Sequence, residues 1–396
     1  MKMSELMAIG THSVKRVSAI ARGRTASARR LFIAAPIALA LAACGGGDGN
    51  GGGSSAQTSA APFAYVADYT NGVISAFRVN ATTGAMTAVS GSPFASGAHT
   101  YSVAVNPAGT LVFAANLQAN TVSVFKINAS TGALTPVSGS PFASPNNPQA
   151  VTVNPAGTLA FVTNTSSGTL SVFKIDPSTG ALTAATGSPY TVGTYPDYLA
   201  LNAAGTLVFA TNEQSNNVSV LSINSSTGEL TPVTGSPFAA GSIPSGVAVN
   251  PAGTFAYVAN FGSSTVSVFS IDANTGALTE ITGSPFATGS GPATVTINPA
   301  GTLAFVPNQN DGTVSVFSID ANTGALTAVS GSPFTSGDLP TAIAVNASGT
   351  LAYVANIGDN NVSVFSINST TGALTPISGS PFTTDTDPVS IALTQF

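Results

Sequence analysis

Charge is what this 396-residue chain lacks most: Asp, Glu, Lys and Arg make up 6% of it, against about a quarter of an ordinary soluble domain. A chain this poor in charge and 43% hydrophobic is neither disordered through self-repulsion nor a coiled coil. Positive charge is scarcer still. Seven of the ten Lys and Arg residues precede residue 31, and after Cys44 only Arg78, Lys126 and Lys174 remain against fourteen acids, a net of −11. No basic surface is available for a phosphate backbone, so nucleic acid is excluded as a partner. There is no Trp, Cys44 is the one cysteine, and beyond the N-terminal region His99 is the one histidine. An internal disulfide, a two-histidine metal site and a Cys/His metal cluster are therefore excluded by counting. No metal or other cofactor is expected.

The seven early cations lie ahead of Leu31–Ala43, thirteen residues without charge. A basic stretch before a short apolar run is a secretory signal, and thirteen residues fall short of the roughly 20 that span a bilayer as a helix. The run ends Leu41-Ala42-Ala43-Cys44, which resembles the lipobox of bacterial lipoproteins. The resemblance implies a signal peptide over 1–43, lipidation of Cys44 and a membrane partner reached through that anchor. In such lipoproteins an Asp directly after the cysteine signals inner-membrane retention; Gly45 stands there, which implies the outer membrane. Arg29-Arg30-Leu31-Phe32-Ile33 also has some similarity to a twin-arginine signal. Residues 44–62 begin with a glycine run whose composition predicts a flexible tether.

What fills the rest is repetition. Gly-Ser-Pro-Phe, or Gly-Ser-Pro-Tyr at Gly187, begins at Gly91, Gly139, Gly187, Gly235, Gly283, Gly331 and Gly379, always at the same spacing. A Thr-Gly pair from Thr83 onward and Asn-Pro-Ala-Gly-Thr variants from Asn106 onward keep the same step. Each unit reads as four short strands punctuated by Gly, Pro, Asn and Asp turns. In the unit near Ala239 they are Gly246–Asn250, Phe255–Asn260, Val266–Asp272 and Ala277–Thr282. Runs such as Val-Ser-Val-Phe-Ser-Ile put apolar residues at odd and even positions, the mark of a sheet buried on both faces. No long helical periodicity occurs. Four strands in about 48 residues predict an all-β propeller. The first copy begins at Phe63, in its second strand, and the last is followed by Val389–Thr394, which aligns with a first strand. The ends therefore complete one blade, closing a monomeric seven-bladed ring over 63–396 without exposed sheet edges. Small residues at Ala104, Thr152, Ala200, Ala248, Thr296, Ala344 and Ala392 are expected to face the axis.

Second strands such as Phe161-Val162-Thr163-Asn164 and Tyr257-Val258-Ala259-Asn260 resemble the surface-layer propeller repeat named for Tyr-Val-Thr-Asn. The run Val266–Asp272 with Thr275-Gly276-Ala277-Leu278-Thr279 resembles the lactonase family of seven-bladed propellers, which includes 6-phosphogluconolactonase. The likeness covers all seven units and implies the fold and, as an activity, lactone hydrolysis.

Turns joining first to second and third to fourth strands barely change between copies. Loops joining second to third strands, and segments entering each blade, change in every copy, and both emerge on one face. Binding residues favour loops on a rigid scaffold, so that face is the candidate site for a small molecule, glycan or envelope protein. The entering segments bring His99, Tyr101, Tyr195, Asp197, Tyr198 and Asp338, with Asp385 and Asp387. The loops bring Glu213, Phe261, Asp311 and Asp359, with Tyr69. His99 is the candidate general base; in its copy Thr100 replaces a proline found in the other six. Asp197, Glu213 and Asp311 offer oxygen ligands for Ca²⁺ but without the spacing of a calcium loop, and no Gly-x-Ser-x-Gly elbow is present. Asn116 and its equivalents, with Asp68, read as turn caps. A phosphorylated lactone needs cationic donors that this face does not supply. The expected function is accordingly a binding module in the cell envelope, and the alternative a hydrolase of a neutral lactone.

Overall fold

The computed structural model describes residues 62–394; Cys44 and the expected signal and tether lie outside them. Seven antiparallel sheets form in chain order, and no helix occurs among the described residues. We number the blades so that blade 2 spans Thr100–Ala143, each later blade follows one repeat on, and blade 1 combines Phe63–Ala95 with the C-terminal strand.

In blade 5 the strands are Pro244–Val249, Phe255–Asn260, Thr265–Ile271 and Leu278–Glu280, with a fifth segment, Phe286–Ala287. The outer strand expected over 277–282 is thus present but shorter, and a second short piece follows it, both pairing with the third strand. Side chains explain the break. In the gap the third-strand amide of Val268 donates to Ser284 Oγ at 2.9 Å, and all seven blades repeat this bond at 2.8–2.9 Å. The serine of Gly-Ser-Pro thereby satisfies a backbone donor that a continuous ladder would have paired. The preceding glycine holds φ at +83° to +90° in every copy, a conformation open to glycine alone at little cost.

The ring closes as the chain ends imply. Phe63–Asp68 runs antiparallel to Pro388–Leu393, with Val66 opposite Ile391. The Phe63 amide donates to Thr394 Oγ1 at 2.8 Å and the Thr394 amide to the Phe63 carbonyl at 2.9 Å. Between blades the core packs in clusters that each join two neighbouring sheets. Tyr65, Phe113, Phe161, Phe209, Tyr257, Phe305 and Tyr353 share one register and are fully buried. The hydroxyls of Tyr65 and Tyr257 donate to the turn carbonyls of Gly132 and Gly324 in the next blade, at 3.0 and 3.2 Å. A side chain at Gly132 would collide with the Phe63 ring, so this turn approaches closely only as glycine.

Inner strands converge on the axis. Thr152, Ala200, Ala248 and Thr296 line a central cavity of about 690 Å³, bounded also by prolines of the Asn-Pro turns. Blade 6 deviates: its inner strand shrinks to Thr296–Ile297. Its second strand carries Pro307, whose carbonyl accepts from Ala293 at 3.0 Å but which has no N–H to return.

Candidate functional site

Antiparallel order places the near-invariant turns on one face of the ring, hereafter the turn face, and the variable loops on the other, the loop face. Each blade delivers its entering segment to the loop face through a residue in the left-handed region. These are His99, Asn147, Tyr195, Ile243, Gly291, Leu339 and Asp387, with φ between +52° and +66°. Each carbonyl accepts from the first residue after that blade's second strand, at 2.9–3.1 Å. Only one of the seven is glycine, although a bulky or β-branched residue is strained there.

Below this ring sits a second one. Asn116, fully buried, donates to Ser123 Oγ at 2.9 Å and accepts from Ser96 Oγ and Thr100 Oγ1 at 2.9 and 3.0 Å. Its counterparts in blades 3 to 7 make the same bond to their third-strand serine at 2.8–3.0 Å. These asparagines are therefore buried ties between strands and the incoming loop, a larger role than turn capping. Thr100, in place of proline, gives blade 2 an extra donor to the same asparagine.

Blade 1 has Asp68 instead. Its Oδ2 accepts from the Ser75 amide at 3.0 Å, while Oδ1 is buried with no hydrogen-bond partner. Burial raises its pKa to about 7, with Asp385 and Asp387 adding to the rise and Ser75 opposing it. Asp385 accepts from Asn71 Nδ2 at 2.6 Å, and Asp387 from Thr70 Oγ1.

The sequence-predicted site residues fall into three groups. His99 stacks on Tyr69, with ring centroids 4.3 Å apart, and Tyr101 meets Tyr69 edge-on at 5.9 Å. Burial lowers the His99 pKa and so favours its neutral imidazole. A second group is polar. Asp197 is 6% exposed and Glu213 3%, so neither is the open surface acid that the sequence reading implied. Asp197 accepts from Gln149 Nε2; the single hydroxyl proton of Thr165 is shared between Gln149 Oε1 at 2.8 Å and the Pro196 carbonyl at 2.9 Å. The sequence reading did not single out Thr165, though it shares the register of Tyr69 and Glu213. The third group ties loops: Asp311 accepts from the Ser290 amide at 2.5 Å and Asp359 from the Asp338 amide at 2.8 Å.

Two further placements depart from these groups. Tyr198 lines the central cavity rather than the loop face, and burial, with Asp197 beside it, raises its pKa. Tyr195 and Phe261 are half-buried members of blades 4 and 5, Tyr195 on the left-handed ring. Among the described residues no three acids or histidines converge to hold a metal ion, so Asp197, Glu213 and Asp311 do not form a calcium cage.

The cations are elsewhere. Arg78, Lys126 and Lys174 sit near the turn-face ends of third strands, opposite Phe63, Leu111 and Leu159. The loop face therefore combines an aromatic trio, buried amide and hydroxyl groups and several carboxylates, with no positive charge from Lys or Arg among the described residues.

Comparison with known proteins agrees with this architecture. The family profile described as "Lactonase, 7-bladed beta-propeller" matches residues 39–146, 139–242 and 233–334. No curated protein matches the sequence. A provisionally assigned 6-phosphogluconolactonase from Bacteroides uniformis is 20% identical, with a TM-score of 0.75 over 85% of this chain and 100% of that one. A second, from Bacteroides fragilis, is 23% identical, also at 0.75, over 85% and 99%. A periplasmic gluconolactonase from Pseudomonas aeruginosa is 17% identical at 0.73, over 84% and 99%. At these identities the solved structures share the fold.

Proposed function

This chain belongs to the seven-bladed β-propeller lactonase family, and we propose that within it the protein is a lipid-anchored binding module of the cell envelope. Its loop face takes an uncharged, hydroxyl-rich ligand of the sugar or sugar-lactone class. The observation that carries this reading is the left-handed ring. Tyr195, Ile243 and Leu339 are held at positions where glycine relieves strain of about 1–2 kcal/mol each, whereas His99, Asn147 and Asp387 are types that this conformation tolerates, and all six differ from blade to blade. A purely structural ring would favour Gly or Asn. Strained backbone concentrates where function requires a particular side chain.

The chemistry around that ring favours a neutral ligand. The half-buried rings of His99 and Tyr101, backed by the buried Tyr69, offer aromatic surface for the C–H side of a sugar ring, while nearby amides donate to and carboxylates accept from its hydroxyls. A phosphate would meet Asp385 and Asp387 with no Lys or Arg to pair it. Hydrolysis of a neutral lactone is the second reading, favoured by one observation: His99, the one histidine among the described residues, lies half-buried on the loop face, stacked on Tyr69. The name of the Pseudomonas aeruginosa structure, a gluconolactonase, offers that same substrate class without phosphate. The test is binding and turnover of gluconolactone and its 6-phosphate by the wild type and by Tyr69→Ala and His99→Ala. Binding of the phosphorylated ligand alone would reject the reading.

A further inference from the structure

The three cations of the folded part hold one arc of the turn face. We infer that Arg78, Lys126 and Lys174 lay this arc against anionic phospholipid headgroups, so that the loop face is presented away from the bilayer. The inference rests on the reading of Cys44 as a lipid anchor.

The fold does not require these cations. They occupy one register of the third strand in blades 1, 2 and 3. In blades 4 to 7 the same register holds Ser222, Ser270, Ser318 and Ser366, each donating to an outer-strand carbonyl at 3.2 Å. Serine thus serves the blade fully, and the charges need another reason. Acids segregate the opposite way. Glu229, Asp272, Glu280 and Asp320 lie in turns and outer strands of blades 4 to 6, whereas Asp176 is the one acid in the corresponding parts of blades 1 to 3.

The chain's point of entry selects the membrane as the occupant. Pro62 leads into Phe63, the first residue of the second strand of blade 1, at the turn face. The Arg78 guanidinium lies 5.1 Å from the centre of the Phe63 ring and donates to the Ser130 carbonyl of blade 2. Lys126 lines the groove between blades 2 and 3 beside Pro177 and Ser178. An anchor at Cys44, shortly before Pro62 in the sequence, would tether the propeller from the edge of this arc, and the charges then favour it over the acidic blades. Each Lys or Arg near an anionic surface contributes a factor of about five, so three give a preference on the order of a hundredfold. That is too little to recruit a net-negative protein from solution, but a tethered chain has a high effective concentration at the surface, and the preference then sets orientation.

From Cys44 onward the chain has one thiol, Cys44, and two lysines, Lys126 and Lys174. Coupling that thiol to a maleimide lipid supplies the anchor whether or not cells acylate the cysteine, so this test fails separately from the anchor reading. Acylation of both lysines by a soluble, uncharged active ester should be about tenfold slower on phosphatidylglycerol vesicles than on phosphatidylcholine vesicles. High salt should restore the rate. Arg78→Ser, which keeps both lysines and adopts the residue of four other blades, should recover several-fold. Equal rates on the two vesicles overturn the proposal. So does full protection of the Arg78→Ser variant, which would assign the slowing to surface potential alone. Protection by soluble polyglutamate but not by anionic vesicles would assign the arc to an acidic protein and overturn it equally.

Discussion

Replacing Asp68 by asparagine should stabilise the propeller at neutral and alkaline pH and leave it nearly unchanged in acid. Six blades place asparagine at this buried position and satisfy it with a third-strand serine at 2.8–3.0 Å. Blade 1 places a carboxyl there, with one oxygen unpartnered. Burial, aided by Asp385 and Asp387, raises its pKa from 3.8 to about 7. The folded state then holds a proton that the unfolded chain releases near pH 4. Stability from this group is fully present below pH 4 and is lost as pH rises through about 7. Three pK units correspond to a loss of up to about 4 kcal/mol. An asparagine in its place would carry no such penalty, and its amide could donate to Ser75 Oγ as its counterparts do. Thermal melts of both proteins between pH 4 and 8 are the assay. The wild type should fall on the order of 5–10 °C further across that range than the variant. Parallel pH profiles, or a variant less stable at pH 8, would refute the argument.

Three further outcomes follow from the same geometry. Tyr257→Phe removes a bond to Gly324 and should cost about 1 kcal/mol, whereas Tyr353→Phe removes a buried hydroxyl with no partner and should be neutral or stabilising; denaturant unfolding of the pair compares them directly. Ile243→Gly and Leu339→Gly should each raise stability by about 1 kcal/mol by relieving left-handed strain, while weakening ligand binding if the ring serves it; thermal melts and titration with gluconolactone check the two effects. Cys44→Ser should move the protein from the membrane fraction to the soluble fraction on cell fractionation; recovery of the variant with outer membranes at the wild-type level would contradict the anchor.

Much of the fold is legible because repetition repeats the evidence. The constant repeat step, the Thr-Gly turns and the first copy's missing inner strand together specify seven blades and their closure, and Thr394 pairs with Phe63 as that alignment requires. The outer strand's interruption is not legible, since a serine hydroxyl standing in for a backbone acceptor leaves no periodic trace. The site is less readable for a related reason. Asp197 looks like a surface acid in sequence, but its partner Gln149 comes from the neighbouring blade, one full repeat away. Left-handed backbone at His99, Ile243 or Leu339 is equally hidden, because only glycine advertises it. Tyr198 sits next to Asp197 along the chain, yet it lines the central cavity, at a shift in strand register between Pro196 and Leu199.

The proposed specificity of the loop face is for a neutral sugar-like ligand over its phosphorylated form. Its most direct measurement is a paired titration of the purified chain from Cys44 with gluconolactone and 6-phosphogluconolactone, following binding by calorimetry and ring opening by proton release. The neutral ligand should bind saturably, Tyr69→Ala should weaken that binding at least tenfold, and the phosphorylated lactone should open no faster than in buffer. Acceleration of 6-phosphogluconolactone hydrolysis that His99→Ala abolishes would contradict this specificity.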